Sequence, residues 1–267
     1  MALEETVYDL SYYRISDEYT FSETEQPIGQ LEAGLISRVD QLWVLSPAML
    51  EKKGFLNSDT IWVPNGVDYA AYSAPTVEPE DLHAIPHPRI GYVGLLKHQL
   101  DFPLLISLAQ RHKEWSFVLV GPQGNLGPSA PLFQKFLEME NVHWLGEKRR
   151  NDLPAYMQHV DVCMLPYKVN GYTKFIYPLK LHAYLASGRP VVGTPIRTLQ
   201  DFSQTIKLAR TQEDWSNAIT NSLLSGAVSH EPVEARRKIA SQHDWSILVD
   251  IIRRGICEKL GSTGVLA

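Results

Sequence analysis

The stretch "YPLKLHAYLASGRPVVGT", Tyr177–Thr194, decides how the rest of the chain is read. Its first part has the composition of a short helix. Pro178 suits a first turn, where its missing N–H would have no intrahelical partner anyway, and Gly188 is the usual residue just past a helix end. The remainder, "PVVGT", reads as a short buried strand bounded by turn residues. Lys180 falls in the first turn, beside unpaired backbone N–H groups and the positive end of the helix dipole. That is the physical make-up of an anion site, and a diphosphate fits it.

The same alternation extends in both directions. Apolar runs of strand length, "TVYDL", "QLWVLS", "TIWVP", "RIGYVG", "FVLVG", "VHWLG", "VDVCMLPY" and "PVVGT", are separated by segments of helical period. Helices are predicted over residues 28–39, 47–53, 102–111, 131–139, 153–159, 178–187 and 215–222. Strands alternating with helices specify an α/β chain with a parallel sheet. Between Asn65 and Arg89 four prolines follow Tyr72, and the segment reads as a linker. The predicted organisation is a partial N-terminal Rossmann-like domain over 1–65, a linker over 66–88, a complete Rossmann-like domain over 89–242, and a C-terminal helix over 243–267. The front part holds three strands and two helices, about half a domain of this class, and is predicted to be an incomplete, self-associating sheet. The tail "HDWSILVDIIRRGICEKL" has a helical apolar stripe at Trp245, Leu248, Ile251, Ile252 and Ile256.

Composition narrows the function. Twenty-five basic against 30 acidic residues give a formal charge of -5, with no extended basic run, which argues against nucleic acid as a partner. The two cysteines, Cys163 and Cys257, are far apart and suit a reducing, cytoplasmic setting rather than a disulfide framework or zinc site. No apolar stretch reaches the ~20 residues of a membrane span; peripheral contact with the inner face of a membrane is compatible with this. Neither Asp-x-Asp nor a His/Cys cluster at ligand spacing occurs, so no metal is expected. The loop "GYVGLLK" is neither a GxGxxG dinucleotide loop nor a lysine-bearing P-loop.

Taken in order, "VYDL", "LEAGLISRVDQLWVLSPAML", "WVPNGVD", "IGYVGLLKHQLDFPLL", "FVLVGP", "NVHWLGEKRRNDLPAYMQHVDVCMLPY", "YPLKLHAYLASGRPVVGT" and "HDWSILV" resemble the retaining glycosyltransferases of family 4. Those enzymes have two Rossmann-like domains in the arrangement called GT-B, and the similarity points to bacterial members that build surface polysaccharides. The resemblance implies transfer of a sugar, with retention, from a nucleoside-diphosphate sugar to a carbohydrate or lipid-linked acceptor. It implies a chain shortened at the front, a hexosyltransferase with no metal, and a last helix that returns to pack on the N-terminal part with Trp245 buried.

Residue by residue, the family block Pro-x-Lys-x-x-Glu-Tyr falls on Pro178, Leu179, Lys180 and Ala183. Lys180 is thereby the diphosphate cation. Ala183 stands where relatives have the glutamate that accepts from the ribose hydroxyls, and Phe175 stands where many carry a second acid. Gly94 and Lys97, in the first loop of the second domain, are the second phosphate candidates, with Asp101 as a helix N-cap. Asn170 and Thr173 are hydrogen-bonding candidates for sugar and phosphate. Glu147–Arg150 lies near the expected base site, or is a solvated charge cluster. Asp17 and Glu18 are weak acceptor-side candidates, and no catalytic carboxylate stands out. The rival reading is a noncatalytic donor-binding or interaction protein that keeps the scaffold without the glutamate.

Overall fold

The computed structural model describes residues 7–224 and 228–261, which divide into two compact units. The first holds the described residues up to Gly66, together with Asn170–Pro178 and the chain from His243 onward; the second holds Val67–Val169 and Leu179–Gln242.

In the first unit the chain runs β1 (Tyr12–Ile15), α1 (Gln30–Ile36), β2 (Gln41–Val44), α2 (Pro47–Lys53) and β3 (Thr60–Trp62). The three strands are parallel, in the order β1-β2-β3, and every residue of the central β2 is buried. Pro47 opens α2, and the Ser46 hydroxyl accepts from the Met49 N–H as its cap. The strand expected at "TVYDL" is not there. Val7–Leu10 form no strand, and Thr6 lies outside the described residues. Pairing passes instead to "YYRI", because Ser11 locks the register: its N–H and hydroxyl both donate to the Asp40 carboxylate, at 2.8 and 2.6 Å. Tyr12 then stacks on Trp43, ring centroids 4.4 Å apart, and Ile15 is fully buried.

The second unit continues with α3 (Tyr69–Ser73), β4 (Arg89–Val93), α4 (Phe102–Arg111), β5 (Ser116–Val120), α5 (Ala130–Leu137), β6 (Val142–Trp144), α6 (Leu153–Gln158), β7 (Val162–Leu165), α7 (Lys180–Ser187), β8 (Val191–Gly193), α8 (Arg197–Gln200), β9 (Lys207–Leu208), α9 (Gln212–Leu223) and α10 (His230–Ser241). Its sheet is parallel throughout, in the order β6-β5-β4-β7-β8-β9. Counted within the unit this is the doubly wound order 3-2-1-4-5-6, which reverses between β4 and β7. Such a sheet binds ligands at the carboxyl ends of its strands, beside that reversal.

Residues 67–88, expected to be a linker, are folded into this unit. Asp68 caps α3 by accepting from the Ala71 N–H. Gln158 donates to the Tyr72 and Ala74 carbonyls and accepts from Thr76, while Arg89 donates to the Ile85 and Leu82 carbonyls. The prolines forbid a regular ladder, so long side chains satisfy the backbone instead. Cys163 is fully buried in β7, and burial pushes its thiol up to about 12; Cys257 is half-buried, and both are free.

From Asp244, which caps the helix by accepting from the Ser246 N–H, the chain forms α11 (Trp245–Lys259) in the first unit. Ile251, Arg254, Gly255, Glu258 and Lys259 border a cleft of about 560 Å³ whose other wall is Gln41, Asp59 and Ile61. Lys259 pairs with Asp59. Leu248 is the fully buried residue of this helix; Trp245, expected to be buried, is half-buried. Its ring lies against Gly66, where a Cβ would come within 2.9 Å of it.

The first unit also buries charge. Lys53, with no exposed surface, lies 3.3 Å from Glu18 and 2.7 Å from Glu32, and Lys52 reaches Glu18 at 3.2 Å. Lys53→Met keeps the side chain's bulk but leaves buried Glu18 and half-buried Glu32 short of a cation. Loss of about 3–5 kcal/mol is expected in urea unfolding; a loss below about 1 kcal/mol would show that the carboxylates neutralise or rehydrate without it.

Candidate functional site

The site is assembled where the second sheet's order reverses. On the β7 side the pairing of β4 ends at Gly91 opposite Cys163, so the two strands part before β4 finishes. The backbone thus released is met by α7. The Tyr184 phenol accepts from the Val93 N–H at 2.8 Å, and burial pushes its pKa well up, keeping it a neutral donor and acceptor. One buried hydroxyl therefore ties α7 to the end of β4. Gly188, with φ +78°, ends the helix as the sequence suggested.

On the other side the strand ends are drawn together by glycines. The Gly94 N–H donates to the Val120 carbonyl at 2.7 Å, and the Gly121 N–H to the Gly146 carbonyl at 2.7 Å. Gly94 and Gly121 have φ of +143° and +137°, which L side chains rarely adopt. A Cβ at Gly121 would lie 2.2 Å from the Gly94 carbonyl oxygen. The loops that follow pair with each other through Leu96 with Pro122, Gly124 with Leu96, and His98 with Asn125. The glycine-rich "GPQGNLGPSA" is therefore built into the loop carrying Gly94 and Lys97. Asp101 caps α4 by accepting from the Leu104 N–H, as expected from its position.

Lys180 is the first residue of α7, with exposed Leu179 as its N-cap. Its ammonium donates to the Tyr167 hydroxyl at 3.2 Å and lies 4.8 Å from the centre of the Tyr92 ring. Its stem passes Gly94 so closely that a Cβ there would be 2.5 Å from Cε. Among the described residues it makes no ion pair with a carboxylate. Lys97 lies half-buried three residues beyond Gly94. Ala183, one turn along from Lys180, is buried, and His182 is buried with its ring edge-on to Phe202 at 5.5 Å.

Asn170, Thr173 and Pro178 belong to the first unit. Asn170 Oδ1 accepts from the N–H groups of Tyr172 and Thr173, and the buried Thr173 hydroxyl accepts from the Asn170 N–H, so the two close their own turn. Phe175 is buried below the ammonium groups of Lys52 and Lys174, at 4.7 and 5.4 Å. Asp17 accepts from the Tyr172 hydroxyl, and Glu18 is occupied by Lys52 and Lys53. In Glu147–Arg150, Lys148 pairs with Asp81 and Arg149 with Asp152. The sequence reading missed Tyr92 and Tyr184 and took Tyr167 only as part of a loop. For Tyr92 and Tyr167 the available signal was a tyrosine in the otherwise apolar "RIGYVG" and "VDVCMLPY"; for Tyr184 it was the tyrosine that closes the family block. Among the described residues no group of three or more His, Cys, Asp or Glu side chains could hold a metal, and no helix is long and apolar enough to cross a membrane.

Residues 87–224, more than half of the chain, match the family described as glycosyl transferases group 1, and the chain belongs to that family. It is 30% identical over 232 residues to TuaH of Bacillus subtilis (strain 168), a glycosyltransferase assigned to teichuronic acid biosynthesis. That alignment covers 83% of this chain and 57% of TuaH, so the chain spans little more than half the length of this curated relative. Sucrose-phosphate synthase from Thermosynechococcus elongatus superposes with a TM-score of 0.69 at 17% identity, over 87% of this chain and 61% of that one. HepE from Anabaena, solved with UDP and glucose, superposes with a TM-score of 0.68 at 15% identity, over 92% and 71%. These likenesses establish the fold, an α/β chain of the GT-B type.

The two strained glycines meet different atoms, which separates their costs. Either substitution by alanine should destabilise by about 1–3 kcal/mol through φ alone. Gly121→Ala should cost distinctly more than Gly94→Ala, because its methyl meets a backbone carbonyl while that of Gly94→Ala meets the far end of a flexible lysine. Chemical denaturation of both variants measures the order; equal losses would mean that the strand ends separate freely.

Proposed function

We propose that this chain, as a member of the glycosyl transferases group 1 family, binds the diphosphate of a nucleoside-diphosphate sugar at the mouth of α7. On this reading it transfers the sugar with retention to a carbohydrate or lipid-linked acceptor in polysaccharide synthesis. The observation that carries the reading is the setting of Lys180. A cation with no carboxylate partner among the described residues stands at a helix N-terminus, at the reversal of a doubly wound sheet, beside a glycine that lets a ligand approach the backbone. The TuaH likeness supports the polysaccharide context, and HepE makes UDP the first nucleotide to try.

The chemistry follows from charge. Breaking the bond between sugar and diphosphate leaves negative charge on the phosphate oxygens, and an ammonium with aligned N–H dipoles stabilises that charge as it grows. The acceptor oxygen bonds to the anomeric carbon on the face from which the diphosphate departs, which retains configuration without a protein nucleophile. The leaving diphosphate takes up the acceptor's proton, so no protein base is required. Lys180, helped by Lys97, carries the charge stabilisation, and no metal enters this reading. Ala183 favours a second reading, a noncatalytic donor-binding protein: its methyl offers no acceptor to the ribose hydroxyls that a glutamate would hold.

Lys180→Ala is expected to weaken nucleoside-diphosphate binding about 10- to 100-fold, the equivalent of about 1.5–3 kcal/mol for a hydrogen bond to a charged group, with little change in melting temperature. Ala183→Glu is expected to tighten nucleoside binding by restoring the ribose acceptor. Calorimetry with UDP, GDP and ADP reads both, and turnover of a radiolabelled sugar donor separates the enzyme from the binding protein. Absence of binding in the parent and in Ala183→Glu alike would overturn the donor site.

A further inference from the structure

The surroundings of Lys180 are unusual for a lysine on a folded surface. Its charge faces the rings of Tyr92 and Tyr167, at 4.8 and 5.8 Å from their centres, and the Tyr167 hydroxyl at 3.2 Å. Both tyrosines are almost completely buried. The Tyr92 hydroxyl donates to the Leu95 carbonyl at 3.0 Å. Each comes from one of the two strands that part at the reversal, Tyr92 from within β4 and Tyr167 from two residues past β7. The third wall is Gly94, where a Cβ would stand 2.5 Å from Cε and 3.0 Å from Nζ of the lysine.

This arrangement differs physically from an ion pair. A carboxylate beside Lys180 would neutralise the ammonium and compete with an incoming diphosphate. Ring faces and a phenol oxygen hold the cation while leaving its charge uncompensated. Burial pushes both phenols' pKa values up, so they stay neutral and cannot become counter-ions at ordinary pH. A free lysine side chain also has considerable rotamer freedom to lose when it grips a ligand. Held in a three-walled slot, Lys180 has surrendered part of it before the ligand arrives, which is the general route by which preorganisation raises affinity.

We propose that Tyr167 and Tyr92 are positioning residues for the donor diphosphate, holding the Lys180 ammonium extended and unneutralised at the helix mouth. They act through Lys180 and need not touch the ligand. The proposal rests on the reading of Lys180 as the diphosphate cation.

The test is a set of variants titrated with UDP, GDP and ADP and with the matching nucleosides. Tyr167→Phe removes only the hydroxyl, and Tyr92→Leu removes a ring face. Each is expected to weaken diphosphate binding about three- to tenfold, the scale of one hydrogen bond or one cation–π contact, while nucleoside affinity stays within twofold. In a Lys180→Ala background the same substitutions should have no further effect on diphosphate binding, because the group they position is gone. A merely structural role predicts something else: nucleoside and diphosphate affinity falling together, and the same loss with or without Lys180. That result, or full diphosphate affinity in both Tyr167→Phe and Tyr92→Leu, overturns the positioning role while leaving the donor site intact. If Lys180→Ala itself binds diphosphates as the parent does, or the parent binds none, the donor reading fails and the positioning role falls with it.

Discussion

The parting of β4 and β7 is the constraint on which the candidate site depends. Two parallel strands that separate before they end expose backbone groups that must find partners elsewhere. Here the Val93 N–H finds the Tyr184 phenol, and the helix bearing that tyrosine is thereby held at the opening. Everything proposed for Lys180 follows from this placement, since the lysine lies one turn before Tyr184 on the same helix. Gly94 follows from it as well: it is the first residue past β4, and it has no side chain where the lysine stem runs.

The first unit solves a different problem, the burial of charge. Glu18, Glu32, Lys52 and Lys53 form a connected cluster, and the Lys52 ammonium also donates to the Gln26 carbonyl at 2.6 Å. Buried pairs of this kind contribute little net stability but penalise any arrangement that separates them. Their effect is to specify the path of residues 17–32. Asn170–Pro178 adds to the same region: the Gly171 N–H donates to the Glu23 carbonyl at 2.6 Å, Lys174 pairs with Glu25 at 2.8 Å, and Asn65 donates to the Tyr177 carbonyl at 2.8 Å. A segment that lies between β7 and α7 in sequence is thus part of the first unit's fabric.

Asn170 and Thr173, predicted from the resemblance to bind sugar and phosphate, lie in this segment. Polar residues with glycine between a buried strand and a lysine-headed helix have the composition of a binding loop. The same composition serves an Asx turn, where the amide side chain closes on its own backbone. Partners distant in sequence hold this turn in the first unit: Asp17 accepts from the Tyr172 hydroxyl and the Glu23 carbonyl from the Gly171 N–H.

The sequence by itself determined the elements and their class. Proline, glycine and apolar period are local signals, and they placed α2 and α4 with their observed ends and β4–β8 to within about two residues, because turn chemistry acts over a few residues. The family block likewise identified Lys180 and its helix. What only the tertiary structure decided was everything settled by long-range pairing. The first strand is "YYRI" and not "TVYDL" because Asp40 meets Ser11 from 29 residues away. Residues 67–88 are folded because Gln158 and Arg89 supply the partners that prolines deny the backbone. Tyr92 and Tyr167, 75 positions apart in the chain, become one setting for Lys180 because β4 and β7 are neighbours in the sheet, so that Tyr92 in β4 and Tyr167 just past β7 come to the same end of it. No local pattern encodes such a meeting, since Tyr92 alone is an ordinary buried strand residue and Tyr167 alone an ordinary residue at a strand's exit.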